Sequence, residues 1–304
     1  MKRGFKMAEH IIENDYLKVT IEDKGAELVS VYDKENNEER IWCANPDVWN
    51  RHAPILFPFV GKVNNGVYRY NGKEYEMKTQ HGFARDREFE LVAETENSIS
   101  HCLKADEESL KIYPFDFELT VTHRFSADNP RMVEVEWEVK NNGTDDMYYS
   151  IGGHPGFAIP RDNRCSREDY YLEFPEKAFA HYILINQSNG LAYPDESHPL
   201  VLNKSACHIA RNMFDKDALI FENSQLHTVR ILKPDRTPFI SLYCAGFPYV
   251  GIWSKGEADF VCIEPWYGRT DNDGFTGDLK DKAGECKLSA NNEKNISYGI
   301  EFHK

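Results

Sequence analysis

The sequence predicts an all-β protein, folded as one large antiparallel β-sandwich of 304 residues. Apolar and polar residues alternate with a period of two, most clearly over 131–140, where every second residue from Val133 is apolar and its neighbours are charged. Turn-forming pairs such as Asn71-Gly72 separate these stretches. No long stretch has a helical period, so many short strands joined by turns are favoured over a helical or α/β fold.

The strands are predicted in chain order from alternation, β-branched or aromatic residues and flanking turn residues. They are 16–22, 26–32, 66–70, 88–93, 98–104, 115–121, 131–140, 147–151, 170–174, 218–222, 227–232, 239–243, 249–253, 259–263 and 296–302. Segments 45–51 and 106–112 each predict a turn or two of helix. The span 156–210 has the least regular pattern. No repeat or linker divides the chain, and we therefore predict a single domain over residues 1–304.

Composition excludes several classes of partner. The formal charge is −14, from 36 basic and 50 acidic residues, and this disfavours nucleic acid and anionic membranes. No stretch approaches the roughly 20 apolar residues of a transmembrane helix. The seven cysteines contain no CxxC pair, which favours reduced thiols over disulfides or a thiolate zinc site. We expect a cytoplasmic monomer or homodimer that handles a neutral small molecule. Met7 is an alternative start, which would make residues 1–6 a dispensable extension.

The stretch SIGGHPGFAIP, at 150–160, places His154 between a glycine pair and Pro155-Gly156. Glycine allows a close approach of the backbone to a ligand, and proline stiffens the turn. His154 would follow the predicted strand 147–151 on a rigid turn. Such a position suits a histidine that transfers a proton. A purely structural histidine in a tight turn is the alternative.

Glu264 closes the apolar strand predicted over 259–263 and precedes Pro265-Trp266. An ionisable carboxylate in this position is costly unless it is paired or used in chemistry. Burial would raise its pKa, and partner donors would lower it again. A salt bridge at the end of a strand is the structural alternative.

Three further polar residues lie beside apolar or aromatic ones. Lys62 is an isolated cation in an otherwise apolar run, and His81 is followed by glycine and an aromatic residue. Aromatic and hydrogen-bonding groups together suit a sugar, which has apolar C–H faces and a polar rim. Asp217, or the nearby Asp215, could accept hydrogen bonds from ligand hydroxyls just before a strand. Each of these residues is equally typical of an ordinary loop or surface.

Together these stretches resemble the aldose 1-epimerase (galactose mutarotase) family, and most closely its bacterial branch associated with lactose operons. The matching motifs are APILFPFVGKVNNG, QHGFARD, GGHPGF and IEPWYGRTD, which occur in that order between about Ile55 and Tyr267. The resemblance implies a β-supersandwich. It also implies the interconversion of α and β sugar anomers, without a metal or an organic cofactor.

The resemblance also implies roles for the individual residues. His154 corresponds to the general acid and Glu264 to the general base, with His154 protonated and Glu264 ionised at the start. His81 would hydrogen-bond the sugar near its ring oxygen, and Asp217 would bind sugar hydroxyls. Lys62 stands where better-known mutarotases carry an arginine. This lysine keeps the charge but lacks the planar two-pronged guanidinium.

Other functions remain open at this stage. We predict a free aldohexose such as galactose or glucose as the substrate, with a hexose 6-phosphate as the alternative. A non-catalytic carbohydrate-binding or regulatory protein would need the pocket without the acid–base pair. A glycoside hydrolase would need a second carboxylate, for which Asp217 and Asp271 are candidates. A metal site made of His81, His154 and Glu264 would lack the usual HxH or HExxH spacing. The cations near the motifs that could bind a phosphate are Arg51, Lys62, Arg85, Arg87 and Arg269.

Overall fold

The computed structural model describes residues 8–160, 165–175 and 177–304, which form mainly β-strands. The strands up to the site-bearing region are β1 Glu9–Glu13, β2 Leu17–Glu22, β3 Glu27–Asp33, β4 Glu38–Glu39, β5 Ile55–Leu56, β6 Val67–Tyr70, β7 Lys73–Glu76, β8 Glu90–Glu94, β9 Ser98–Lys104, β10 Phe117–Phe125, β11 Met132–Asn141, β12 Met147–Tyr149, β13 Ile151–Gly153 and β14 Gly156–Ala158. The remaining strands are β15 Tyr171–Glu173, β16 Phe179–Asn186, β17 Leu191–Val201, β18 Ala206–His208, β19 Leu219–Phe221, β20 Thr228–Leu232, β21 Pro238–Tyr243, β22 Tyr249–Trp253, β23 Phe260–Tyr267, β24 Cys286–Leu288 and β25 Glu293–Phe302.

Two large antiparallel sheets carry the fold. The first has nine strands in the order β18-β15-β20-β21-β25-β11-β10-β9-β8. The second has eight strands, in the order β17-β16-β19-β22-β23-β13-β5, with β14 also paired to β23. A four-stranded sheet, β1-β2-β3-β4, and the pairs β12-β24 and β6-β7 complete the described strands. The all-β antiparallel prediction is confirmed. That residues 1–304 form one domain stays a prediction, and residues 1–6 lie outside the described part of the chain.

The core lies between the two large sheets. Strands β10 and β11 alternate strictly between buried and half-buried residues, and they pair in unbroken register from Phe117 with Asn141 to Phe125 with Val133. Their inward residues belong to one cluster with apolar residues of β22 and β23, such as Ile252 and Ile263. Each large side chain buried in this way stabilises the fold by roughly 1.5–3 kcal/mol.

The structure departs from the sequence prediction in three places. The irregular span 156–210 holds β14 to β18, including the long hairpin β16–β17, although residues 161–164 and 176 lie outside the description. β17 is exposed along most of its length, which is why its sequence does not alternate. Residues 45–51 form a turn and no helix. The short strands β1, β4, β5, β7 and β24 were not predicted, since two to five residues are too few for periodicity.

The only α-helix among the described residues is Glu107–Ile112, inside the predicted segment 106–112. Its first turn is capped by Asp106, whose carboxylate accepts the Ser109 backbone N–H, while the Ser109 hydroxyl oxygen accepts the Asp106 N–H. This reciprocal cap satisfies two donors that a helix end otherwise leaves unpaired. No helix in the described ranges has the length and apolar character that crossing a membrane requires.

Candidate active site

The site is centred on two side chains that face each other across β13–β14 and β23. The register that pairs Gly152 with Trp266 and Gly156 with Cys262 places His154 opposite Glu264. His154 Nε2 lies 3.3 Å from Glu264 Oε2, and both residues are buried. Directly opposed residues on one face of an antiparallel pair are the closest cross-strand neighbours. The strand register alone therefore brings the predicted acid and base together.

Glu264 was predicted to end a strand, and that position is wrong. It lies inside β23, which continues to Tyr267, and it pairs with Gly251 of β22 on its other side. Sequence patterning stopped the strand at Pro265, because proline lacks the N–H that a central strand requires. Pro265 is tolerated here because the ladder is interrupted at His154-Pro155, between β13 and β14.

Burial sets the protonation of this pair. It lowers the pKa of His154 to about 3, so the neutral imidazole is favoured. Burial also raises the pKa of Glu264 well above its usual range, and the negative charge of Asp217 adds to the effect. The predicted starting state was a protonated His154 and an ionised Glu264. The unliganded cavity favours the other arrangement of the same single proton, on Glu264.

His154 sits in an aromatic box. The indole of Trp49 stacks on its ring with centroids 4.8 Å apart, and Trp253 meets it edge-on at 5.7 Å. The Trp49 carbonyl accepts the Trp42 indole N–H at 2.8 Å, which fixes the loop. Gly156 allows Trp49 to come this close, since a Cβ there would lie 2.8 Å from the indole Cζ3. The two indoles fix the plane of the imidazole.

His81 is held on a backbone of positive φ, as are few residues with a side chain. Its backbone N–H donates to the Gly61 carbonyl at 2.6 Å, and its Nδ1 accepts the Gly61 N–H at 3.1 Å. Because Nδ1 is the acceptor, the ring proton lies on Nε2, which becomes a donor. Burial, reinforced by the positive charge of Arg85, lowers the pKa of His81 well below its usual range. His81 is thus a neutral hydrogen-bond donor, 5.6 Å from the His154 ring centroid.

Asp217 and Lys62 lie on the cavity wall. Asp217 has a φ of 76°, and its carboxylate accepts the backbone N–H of Ala218 at 2.8 Å. Lys62 is exposed, and among the described residues no carboxylate lies within ion-pair distance of its ammonium group. Its backbone N–H donates to the Thr270 hydroxyl, which donates in turn to the Gly190 carbonyl. Asp215 also lines the cavity, so the structure brings both candidate aspartates to the site.

The cavity has a volume of about 490 Å³. Its floor is the indole of Trp266, which lies between Gly152 and Gly251. A Cβ on either glycine would come within 2.4 Å of the indole carbon atoms. The polar and aromatic residues lining the cavity are Trp49, Lys62, Gln80, His81, Arg85, His154, Gln187, Phe214, Asp215, Asp217, Trp253, Ser254, Lys255, Glu264, Trp266 and Thr270. All five predicted site residues are among them.

Four residues that line the cavity were not predicted as site residues from the sequence. Trp49 and Trp253 come from segments without a motif, and Lys255 lies in an ordinary polar turn. Arg85 is a candidate from the sequence only as a cation that could bind a phosphate. It is the one with a visible signal, because it belongs to the QHGFARD stretch that also carries His81.

The candidate phosphate-binding cations fall into two groups: those paired with a carboxylate away from the cavity and those that line the cavity. Arg51 pairs with Asp86 at 2.6 Å, and Arg87 lies 3.3 Å from Asp106. Arg269 is buried and pairs with Glu222 at 2.7 Å. Lys62 and Arg85 line the cavity.

The structure also bears on the two alternative functions, a glycoside hydrolase and a metal site. Asp271, a candidate second carboxylate for hydrolysis, is buried, accepts the Asn64 N–H at 2.8 Å and is not among the described residues that line the cavity. In the described ranges, the cluster with metal-ligating atoms at this site consists of His154, Cys262 and Glu264, so the alternative set with His81 is not assembled.

The two-sheet antiparallel β-sandwich is of the galactose mutarotase-like class, which solved structures with closely similar folds represent. Residues 9–276 match the family model described as aldose 1-epimerase. The chain belongs to the aldose 1-epimerase family.

Relatives and solved structures agree with this assignment. Protein LacX of Lactococcus lactis is 30% identical over 295 residues, which span 95% of this chain and 97% of LacX. The structure of a galactose mutarotase related enzyme from Lactobacillus acidophilus is 35% identical, has a TM-score of 0.91 and covers 98% of both chains. A galactose mutarotase-like protein from Lactobacillus casei is 30% identical, with a TM-score of 0.87, covering 97% of this chain and all of its own. Family and fold support a mutarotase-type function.

Proposed function

We propose that this protein is an aldose 1-epimerase that interconverts the α and β anomers of a free aldohexose. The observation that carries the proposal is the opposition of His154 Nε2 and Glu264 Oε2 at 3.3 Å in the cavity. Anomerisation needs a proton removed from the C1 hydroxyl and a proton delivered to the ring oxygen. A single imidazole and a single carboxyl group supply both transfers.

The proposed reaction starts with an ionised Glu264 and a protonated His154. Glu264 takes the C1 hydroxyl proton, His154 protonates the ring oxygen, and the C1–ring oxygen bond breaks as the C1 carbonyl forms. Rotation about C1–C2 turns the carbonyl, and closure on its other face returns both protons. The ring-open state has a protonated Glu264 and a neutral His154, which is the charge state that burial favours. Activity then requires one proton on the pair and falls at both pH extremes.

The remaining wall residues have assigned roles in this proposal. His81 donates from Nε2 to a sugar oxygen, because its Nδ1 is occupied as an acceptor. Asp217 accepts hydroxyl protons and Lys62 donates to hydroxyl oxygens. The Trp266 indole faces the apolar C–H side of the pyranose, as aromatic floors do in sugar sites. The proposed chemistry requires no metal and no organic cofactor.

A hexose 6-phosphate is the second candidate substrate, and a specific observation favours it. Lys62, Arg85 and Lys255 all line the cavity of a protein whose formal charge is −14. Among the described residues, Lys62 and Lys255 have no ion-pair partner, and Arg85 has only Asp86, with 3.9 Å between Nε and Oδ2. Unpaired cations in one cavity suit a dianion.

The test compares kcat/KM for glucose, galactose and their 6-phosphates, with anomer exchange followed by polarimetry or NMR. A free-sugar epimerase prefers the neutral sugars or treats both alike. A hundredfold preference for a phosphate, about 2.7 kcal/mol, would instead establish the second candidate. In that case Arg85→Ala loses the preference, whereas the matched control Arg87→Ala keeps it, since Arg87 pairs with Asp106 and does not line the cavity. Sugar binding without any exchange above the uncatalysed rate would refute both enzymes and leave a binding protein.

A further inference from the structure

A second cluster of ligating side chains lies outside the cavity, where three parts of the chain meet. His10 is on β1, Asp23 follows β2, and His101 is on β9 of the nine-stranded sheet. Both histidines direct Nε2 at the same carboxylate oxygen, Asp23 Oδ1, at 2.8 Å from His10 and 3.1 Å from His101. The three ligating atoms all lie within 4.8 Å of one another. The proposed acid–base chemistry uses none of these residues.

We propose that His10, Asp23 and His101 bind a divalent transition-metal ion, with Zn²⁺ as the best match. Two imidazole nitrogens and one carboxylate oxygen are ligands that Zn²⁺ takes at about 2.0–2.2 Å. Tetrahedral ligands at that radius are about 3.3 Å apart. The observed 2.8 and 3.1 Å separations need to widen only by a few tenths of an ångström. The rings stand edge-to-face with centroids 5.2 Å apart, so they converge without stacking.

The surroundings match the needs of such a site. The side chains of His10 and Asp23 are 15% and 25% exposed, which leaves room for a water as fourth ligand. His101 is fully buried, which holds its ring in place beside Asp23. His10 Nδ1 lies 3.7 Å from Glu94 Oε2. With Nε2 bound to the metal, the ring proton would lie on Nδ1, and Glu94 would approach by less than about 1 Å to accept it and orient the ring.

Metal binding would couple the small sheet to the large one. The small sheet contributes His10 on β1, and the nine-stranded sheet contributes His101 on β9. A ligand that binds only the folded state stabilises it by mass action. Zn²⁺ would therefore raise the melting temperature of the whole protein without entering the cavity.

The test titrates the EDTA-dialysed full-length protein with ZnCl₂ by calorimetry and with Co²⁺ by visible absorption. We expect one equivalent to bind, with intense tetrahedral Co²⁺ bands, and at least tenfold weaker binding in His10→Gln and Asp23→Asn. Glu94→Gln should weaken binding by about 10-fold or more through the orientation of His10. Since His10 is half-buried at the edge of the sheet, His10→Gln folds even if a His101 variant does not.

Matched controls separate this site from the cavity. Cys262→Ser disrupts the other cluster of ligating atoms, His154, Cys262 and Glu264, and should leave the bound equivalent unchanged. Zinc binding that survives His10→Gln but is lost in Cys262→Ser would overturn the proposal. So would the absence of any saturable binding below about 100 µM, because three protein ligands give far higher affinity. The cluster would then be a hydrogen-bonded clasp only.

Discussion

Replacing His154 or Glu264 by glutamine tests whether the two groups act as one unit. Both single variants, His154→Gln and Glu264→Gln, keep a similar side-chain volume and lose the ability to exchange a proton. We expect each to abolish most anomerisation while the protein stays folded. The side chains are 3.3 Å apart, and the proposed reaction needs both of them in each direction, so either substitution disables ring opening and ring closure alike.

The expected loss of rate depends on whether the two groups act together or independently. One positioned proton transfer is worth about 10²–10⁴-fold, or roughly 2.7–5.5 kcal/mol. Two independent groups would give a double variant with the product of both losses, about 10⁴–10⁸-fold. If His154 and Glu264 act as one unit, the exchange rate of the double variant should stay within about tenfold of that of the less active single variant.

Glu264→Gln should also keep or gain stability at neutral pH. The folded protein raises the pKa of Glu264, so the unfolded chain releases this proton at lower pH than the native state does. The wild type therefore loses stability as the pH rises above the unfolded value, and the variant does not. Thermal melts at pH 5 and pH 8 measure the difference.

The assay is two-dimensional NMR exchange between α and β anomers, at several enzyme concentrations and against the uncatalysed rate. Asp217→Asn is the control within the cavity, because it should weaken substrate binding with a smaller loss of kcat. Near-wild-type exchange in either single variant would refute the assignment of acid and base. Multiplicative losses in the double variant would refute the shared proton.

Three further perturbations address stability and the aromatic box. Asp33→Asn should cost about 3–5 kcal/mol in urea unfolding, because it removes the buried carboxylate that lies 2.7 Å from Arg40 and 3.1 Å from Arg131. Arg40 would keep only the more distant and more exposed Glu38, at 3.4 Å. A loss below about 1 kcal/mol would contradict this. Burial lowers the pKa of His123 to about 3, so its imidazole stays neutral in the native state. The unfolded chain binds a proton at this residue below pH 6.5. The stability of the fold therefore falls as the pH decreases from 6.5 towards 3. His123→Leu should flatten that decline by about 2 kcal/mol between pH 6.5 and 5, and an unchanged pH slope would refute it. Gly156→Ala should displace Trp49, whose indole would lie 2.8 Å from the new Cβ, and lower kcat more than 10-fold with KM little changed; an unchanged kcat would show that the box does not position the imidazole.

The β-fold was predictable where one face of a strand is buried and the other is wet. β11 was predicted to within one residue of its true ends at each side, because its alternation between buried and half-buried residues is unbroken. The hairpin β16–β17 was missed, since an exposed edge strand has no apolar face to signal its period. Glu264 was predicted to end a strand because proline normally stops a strand at Pro265. Pro265 is tolerated because the partner strand is interrupted between β13 and β14, and no local sequence pattern reveals that interruption.

The sequence predicted which residues form the candidate site but not their protonation. His154, Glu264, His81, Asp217 and Lys62 belong to short motifs, and the fold gathers all five around one cavity. The charge state of His154 and Glu264 could not be predicted, because burial is a property of the whole sandwich and outweighs the attraction between the two groups. The aromatic box was missed for a similar reason. Its members come from separate segments that meet only in three dimensions.

The depth of the cavity is governed by two residues that contribute no side chain to it. Trp266 rests where it does because Gly152 and Gly251 leave space on both sides of its indole, with Cβ positions only 2.4 and 2.3 Å from the ring. Adding one methyl group at either glycine would overlap the indole, so the ring would have to shift and the shape of the cavity would change. Ring size and substituent orientation could therefore be selected by a change as small as glycine to alanine. An alanine scan that passes over glycines would not test this influence on the shape of the cavity.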